Sequence, residues 1–340
     1  MSIAAGSLQN EWAPFLVEPI FAARVWGFRD LHPWFDRVAD TEPIGEVWLS
    51  GDDCVVATGV HAGRRLGDLF RLAPVSMLGP GAPSPDSPLL IKVIFAREKL
   101  SVQVHPDDAL AQKYGSPRGK TECWYALAAE PGAQLAVGIK AGVTHGQIEE
   151  GIRSGTLEQS LNLIGVSAGD VIFVDAGTVH AIWPGSILLE AQQNADITYR
   201  LYDYGRPREL HVEKGLEATK LATRAGKVAP RTLADRTILI DADYFRIEKI
   251  PVDHSTAFNQ PIGDASPLEA DSTAGLAYLF AAAGTGRITG AGFAPLDLPP
   301  RAIACVPDAA PEYAIENLGG LELIRLSPKW PESAHAAQSE

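Results

Sequence analysis

Ser101-Val-Gln-Val-His-Pro-Asp-Asp108 and Gly119-Lys-Thr-Glu-Cys-Trp-Tyr125 are the two stretches that decide how this chain is read. As β-strands, each sends alternate side chains to opposite faces. The first then presents Gln103 and His105 on one face and turns Val102 and Val104 into a core. The second presents Lys120 and Glu122 together. A third strand-like run, Val171-Ile-Phe-Val174, leads through Asp175-Ala-Gly-Thr-Val to His180. Gln103, His105, Glu122 and His180 form a mixed nitrogen and oxygen set that suits one divalent metal with room for an outside ligand. Structural zinc sites are usually closed with cysteines, so this donor set points to a catalytic metal and to a metal-dependent enzyme.

Working outward, Pro43-Ile-Gly-Glu-Val-Trp-Leu-Ser50 and Leu89-Leu-Ile-Lys-Val-Ile-Phe95 read as strands, the second of them buried. Residues 72–88, rich in Pro, Gly and Ser, read as a loop. A short capped helix is expected within 106–118, with Asp107 or Asp108 near its start. Ile148, Ile152, Leu157 and Leu161 fall near a helical period, which predicts helix over 144–163, split by Gly151 and Gly155. Residues 210–235 read as a helix plus a connection. From Thr237 the strand pattern resumes, giving a second β-module that contains His254 but no companion ligands.

The 340 residues suffice for one large or two medium domains, and the 32 glycines and 25 prolines are scattered, which favours strands and turns over long helices. A net charge of −13 argues against nucleic acid as a partner. It leaves room for a small phosphorylated substrate, provided a local basic pocket is built, for which Lys120, Arg200, Arg206 and Arg208 are candidates. No 18-residue apolar span and no signal-peptide pattern is found, so no membrane partner or export is expected. Cys54, Cys123 and Cys305 make no disulfide framework, which fits a reducing cytoplasm, and Cys123 has the parity of core filler.

At its motifs the sequence resembles the class I mannose-6-phosphate isomerases, zinc enzymes of the cupin superfamily. Five motifs carry the resemblance in order: Ile44-Gly-Glu-Val-Trp48, Leu100-Ser-Val-Gln-Val-His-Pro-Asp107, Gly119-Lys-Thr-Glu-Cys-Trp124, Ala176-Gly-Thr-Val-His180-Ala-Ile182 and Asp196-Ile-Thr-Tyr-Arg-Leu-Tyr-Asp-Tyr204. The resemblance implies a mainly β, cupin-type (jelly-roll) double barrel with a small helical insertion. The domains expected are 1–215 (metal-bearing barrel with the insertion near 144–163), 216–236 (helical connection), 237–330 (second, metal-free barrel) and 331–340 (loose tail).

By position, the resemblance puts one zinc ion per chain on Gln103, His105, Glu122 and His180, and an active-site lysine on Lys120. It puts an acidic residue on Glu190 and a further aspartate and arginine on Asp196 and Arg200; Asp196, Thr198, Arg200 and Tyr202 share strand parity. The implied reaction is the interconversion of mannose 6-phosphate and fructose 6-phosphate, through a cis-enediol and a base. Lys120, Glu190 and Asp196 are all candidates for that base, and Glu190 is equally a group that orients a ligand. Arg200 would hold the phosphate or stabilise developing negative charge; otherwise it pairs with Asp203 or Glu190 at the surface. The chain departs from longer members at Gly119, where they carry a histidine, and at Trp26-Gly27-Phe28, where Trp-Gly-Gly is usual. A cupin dioxygenase or epimerase, or a sugar-phosphate-binding cupin without catalysis, is the alternative.

Overall fold

The computed structural model describes residues 10–253, 255–258 and 275–330. His254 and the expected tail 331–340 lie outside the described residues. The architecture is mainly β, as the strand patterning predicts, with every named strand pair antiparallel. The chain forms two compact units, Ile20–Trp48 with Leu89–Ala229, and Met1–Pro19 with Leu49–Pro88 and Pro230–Glu340. Both are discontinuous in sequence, whereas the expected domains run in continuous blocks. Strand periodicity reports burial, not partnership. It could not reveal that Phe15–Glu18 pairs with Ile303–Val306 far along the chain.

In the unit built from 20–48 and 89–229, two sheets face one another. The larger runs in the order Gly226–Val228, Val171–Val174, Glu122–Ala129, Ser186–Gln193, Leu89–Phe95, Ile44–Trp48 and Ile20–Phe28. The smaller runs Tyr199–Tyr202, Val102–Val104, His180–Ile182, Gln134–Ile139 and Leu161–Gly165. Trp26, Ile94, Trp124, Ile172 and Leu188 from the first sheet meet Leu135, Val137 and Ile182 from the second in a shared core. Val102 and Val104 point the other way, into an apolar layer with Ile148, Ile152 and Leu157 that covers the outer face of the smaller sheet. The polar positions between those valines therefore look into the space between the sheets.

The helical region is shorter than its periodicity predicts. A capping box between Thr144 and Gln147 starts the helix His145–Ser154, and Gly155 stops it in the left-handed conformation, φ 72°. Leu157–Ser160 is a single 3-10 turn, and Leu161 opens the strand Leu161–Gly165. Leu157 and Leu161 still bury against the same layer, so their four-residue spacing imitates helix. Likewise the expected helical connection 216–236 is helix only as the end of Val212–Ala218; beyond it lie the strands Gly226–Val228 and Arg231–Thr232. Inside the expected loop 72–88, Pro74 at a first helical position opens the short helix Pro74–Leu78.

The other unit is one ten-stranded sheet dominated by two long strands, Ala277–Gly290 and Tyr313–Pro328. Three register shifts between Ala281 and Gly286 bend this pair, as bulges do. The bend lets the sheet close around Leu279, Ile288, Leu298, Ile315 and Leu323.

Candidate metal centre

Strand register brings the predicted donors together. Gln103 sits opposite His180 on one side and opposite Arg200 on the other. His105 follows just beyond the end of Val102–Val104, and Glu122 opens the strand Glu122–Ala129 on the facing sheet. His105, Glu122 and His180 offer ligand atoms that all lie within 4.8 Å of one another, and all three residues are buried. Nε2 of His105 stands 3.5 Å from one Glu122 oxygen, and Nε2 of His180 stands 3.4 Å from the other.

Two backbone carbonyls fix the tautomers. Nδ1 of His105 lies 2.8 Å from the Ile197 carbonyl, and Nδ1 of His180 lies 2.9 Å from the Thr178 carbonyl. A carbonyl only accepts, so each Nδ1 carries the proton and each Nε2 turns its lone pair to the centre. Burial, with Lys120 adding to it, holds both rings neutral: His180 is pushed down to about 4 and His105 well below the usual imidazole range. Burial, aided by Glu190, pushes Glu122 up to about 7 against the pull of Lys120 and Lys92. Gln103 turns its amide nitrogen to His180 Nε2 at 3.2 Å; a half-turn of the amide would put its oxygen there instead.

Nε2 of His105 and Oε1 of Glu122 are buried without a hydrogen-bond partner, and Oε2 of Glu122 has Lys120 Nζ at 3.1 Å. Each such orphan costs about 1–3 kcal/mol, and proteins rarely cluster them. Two neutral imidazole lone pairs and a carboxylate converging on one point are what a divalent cation of zinc type requires. These residues fit a metal ion.

A cavity of about 340 Å³ opens beside these donors, reached by Gln103, Lys120, Glu190, Asp196, Thr198 and Arg200. Lys120 is buried, with Nζ 3.1 Å from Glu122, which bears out their shared face. Its backbone N–H donates to the Pro106 carbonyl at 3.0 Å, and the Gly119 N–H donates to Asp108 at 2.7 Å. Gly119 packs tightly under this turn. A Cβ added there would meet the Asp107 carbonyl carbon at 2.5 Å and the Pro106 oxygen at 2.6 Å.

Glu190 is held from two sides, by Lys92 at 2.9 Å and by the Trp124 indole N–H at 2.8 Å. Burial works to raise its pKa, but Lys92 and Lys120 outweigh it and hold the carboxyl below its ordinary range. Asp196 lines the cavity and makes no hydrogen bond or ion pair among the described residues. Arg200 neither pairs with Asp203 nor with Glu190 among the described residues: it donates to the Glu209 carbonyl at 2.9 Å and leaves Nε buried without a partner. The shared parity stops at Arg200. A register shift between Arg200 and Tyr202 turns Tyr202 onto the helical layer, against Tyr204.

Arg208 reaches the cavity while held by Asp203 through two 2.7 Å contacts, but Arg206 does not line it, being tied to Asp203, Glu98 and the Lys99 carbonyl. Trp124 is buried in the core with its ring 5.6 Å from that of His180, and Lys99 lies over the ring of Trp183. His211 is half-buried and accepts the Arg200 backbone N–H at 3.2 Å.

Sequence reasoning missed a buried ionic ladder. Arg24 meets Glu46 at 2.8 Å, Glu46 meets Lys92 at 3.9 Å, and Lys92 meets Glu190. Burial opposes the ionised form of Glu46, yet Lys92 and Arg24 together bring it down to about 2. Burial would lower Lys92, but Glu190 and Glu46 outweigh it and raise it. The signal was on view: Lys92 interrupts a strand in which all seven residues are buried, and a buried lysine needs a partner.

Residues 24–138 match the family model described as phosphomannose isomerase type I, catalytic domain. The chain is 33% identical over 293 residues to the mannose-6-phosphate isomerase of Streptococcus mutans, covering 81% of this chain and 88% of that one. The fold is similar to the crystal structure of the Bacillus subtilis mannose 6-phosphate isomerase, with a TM-score of 0.80, 28% identity, and coverage of 92% of this chain and 99% of that one. It is also similar in fold to a zinc-bound mannose 6-phosphate isomerase, TM-score 0.73 at 16% identity, over 93% of this chain and 100% of the other.

Proposed function

The chain belongs to the type I phosphomannose isomerases, and we propose that Gln103, His105, Glu122 and His180 hold its zinc ion while Lys120, Glu190, Asp196 and Arg200 surround the sugar. Its mainly β fold is of the cupin type, and its reaction is the reversible isomerisation of mannose 6-phosphate and fructose 6-phosphate. The single observation that carries the site is the set of orphaned, buried donor atoms on His105 and Glu122 at the edge of a cavity lined by cations. Zinc, when bound, supplies a Lewis acid for the oxygens at the reacting carbons.

Isomerisation moves one proton from C2 to C1 of the aldose and another between the two oxygens, by way of a cis-enediol. Glu190 is occupied by Lys92 and Trp124, which supports a positioning role: it fixes Lys92 and keeps the wall of the cavity in place. Lys120 and Asp196 face the cavity without that two-sided tie and carry the proton at carbon. Arg200 and Arg208 present guanidinium groups that pair with the phosphate or with developing negative charge. Burial and the neighbouring Arg208 lower the Arg200 pKa, so an anion arriving there relieves repulsion between the two.

The three cysteines are buried and free, which supports a reducing cytoplasm. Among the described residues no helix is long and apolar enough to cross a membrane. The sugar phosphate is the partner; nucleic acid is disfavoured by the net charge of −13. A coupled isomerase assay on mannose 6-phosphate, with and without chelator, tests the reading. Activity should vanish with chelator and return with zinc; undiminished turnover in a metal-free preparation would overturn it.

A further inference from the structure

The unit formed by the C-terminal strands has a cavity of its own, about 380 Å³ in volume. That is the size of a small-molecule site. Its charge comes from alternate positions on neighbouring strands. Arg246 stands opposite Ser327 and Glu248 opposite Arg325 in the register of Phe245–Ile250 with Tyr313–Pro328. Ile250 and Leu323, further along the same faces, belong to the apolar core. The cavity is thus the polar end of that core.

Cations prevail there. Arg236, Arg246, Arg325 and Lys329 line it, against the acidic Glu248 and Asp308. Glu248 is shared by two guanidinium groups, Arg236 at 3.1 Å and Arg325 at 3.8 Å, and these three side chains are 5–10% exposed. Asp241 is likewise shared by Arg246 and Lys329. Arg236 also meets Asp235 at 3.4 Å, so each cation is held by an acid, and a chain of net charge −13 still gathers four cations in one small space. Ser327 Oγ is also buried there with no hydrogen-bond partner. A hydroxyl and paired guanidinium groups recognise phosphate and carboxylate oxygens.

We propose that this cavity binds a small dianionic metabolite, a phosphate ester or a dicarboxylate, at a site made wholly within the second unit and outside the isomerisation machinery. Glu248 and Asp241 hold the guanidinium groups in position, and the ligand's oxygens add to their contacts and accept from Ser327.

The test is calorimetric titration of the full, zinc-loaded chain with inorganic phosphate and, separately, with succinate, repeated on Arg236→Gln and Ser327→Ala. At least one of the two anions should bind. Arg236→Gln should weaken that binding about tenfold, the value of one charge-assisted hydrogen bond, and Ser327→Ala by a smaller factor. Both variants should keep kcat and KM for mannose 6-phosphate in phosphate-free buffer within about twofold of the parent. The anion that binds tighter names the ligand class. Ser327→Ala removes a hydroxyl that has no partner, so it should fold even if Arg236→Gln does not. Failure of both anions to bind, or binding that neither variant alters, would overturn the proposal.

Discussion

The two units build their cavities in the same way and fill them with opposite chemistry. In each, neighbouring antiparallel strands put ionisable side chains at alternate positions on one face, through Glu190 opposite Lys92 in one and Glu248 opposite Arg325 in the other. The first then adds imidazoles, which are neutral when buried and keep a lone pair, beside a carboxylate with one oxygen free of any hydrogen-bond partner. The second adds guanidinium groups, which have no lone pair to give and stay charged. One arrangement attracts a cation and the other an anion. The backbone ladder is common to both; the donor atoms decide which.

The comparison breaks most completely if the imidazoles can be removed without consequence. His105→Ala or His180→Ala should abolish zinc binding, read by elemental analysis, and cut turnover by about a thousandfold or more, since a Lewis acid is worth several kcal/mol. Circular dichroism should show the fold intact. A variant that loses its zinc yet turns over normally would separate the donor cluster from the reaction.

Acid should sharpen the contrast between buried ion pairs and metal donors. Glu46 titrates at about 2, below its ordinary value of 4.5, so its ionised form stabilises the fold above the ordinary value and that contribution fades as pH falls from about 4.5 to 2. Glu46→Gln should therefore cost of the order of 3 kcal/mol at neutral pH, and the gap to the parent should close over that window. Urea unfolding at a series of pH values measures it. A gap independent of pH would mean that Lys92 and Arg24 do not depend on the Glu46 charge.

Arginine carries a smaller and more specific expectation. Arg200→Lys keeps the charge but loses the planar fork, and activity should fall about 10- to 100-fold, one or two charge-assisted hydrogen bonds. A raised KM with unchanged kcat would assign Arg200 to the phosphate; an equal fall in kcat and kcat/KM would assign it to the transition state. Arg206→Ala is the counterpart. It lies among Asp203, Glu98 and the Lys99 carbonyl, so turnover should stay within about twofold and stability within about 1 kcal/mol. A deep loss of activity in Arg206→Ala would redraw the limits of the cavity.

The donors were legible because strand parity is local: Gln103 with His105 and Lys120 with Glu122 follow from a period of two, and the structure keeps both pairs on one face. The mainly β class was legible for the same reason. Lys92 and Glu46 were quoted as parts of buried strands, but their roles depend on which strands are neighbours. The sheet places Leu89–Phe95 between Ser186–Gln193 and Ile44–Trp48, and periodicity does not encode that order. Tyr202 escaped because a register shift breaks parity at a single step. Leu161 escaped because a 3-10 turn followed by a strand buries the same face as another turn of helix would. The second cavity was invisible for a related reason. Glu248 and Arg325 are 77 residues apart and meet only through the pairing of Phe245–Ile250 with Tyr313–Pro328.

Gly119 bears on how such a site can change over generations. The resemblance to longer members of the family implies a histidine at this position, and a histidine brings a Cβ. The turn that follows His105 forbids it, because the backbone of Pro106 and Asp107 fills the space a Cβ would need, at 2.5–2.6 Å. Hydrogen bonds from Gly119 to Asp108 and from Lys120 to Pro106 pin that turn in place. The glycine and the tight turn therefore depend on each other: while the turn holds, any side chain at position 119 collides with it. A chain with this geometry has to perform its proton transfers without a side chain at position 119.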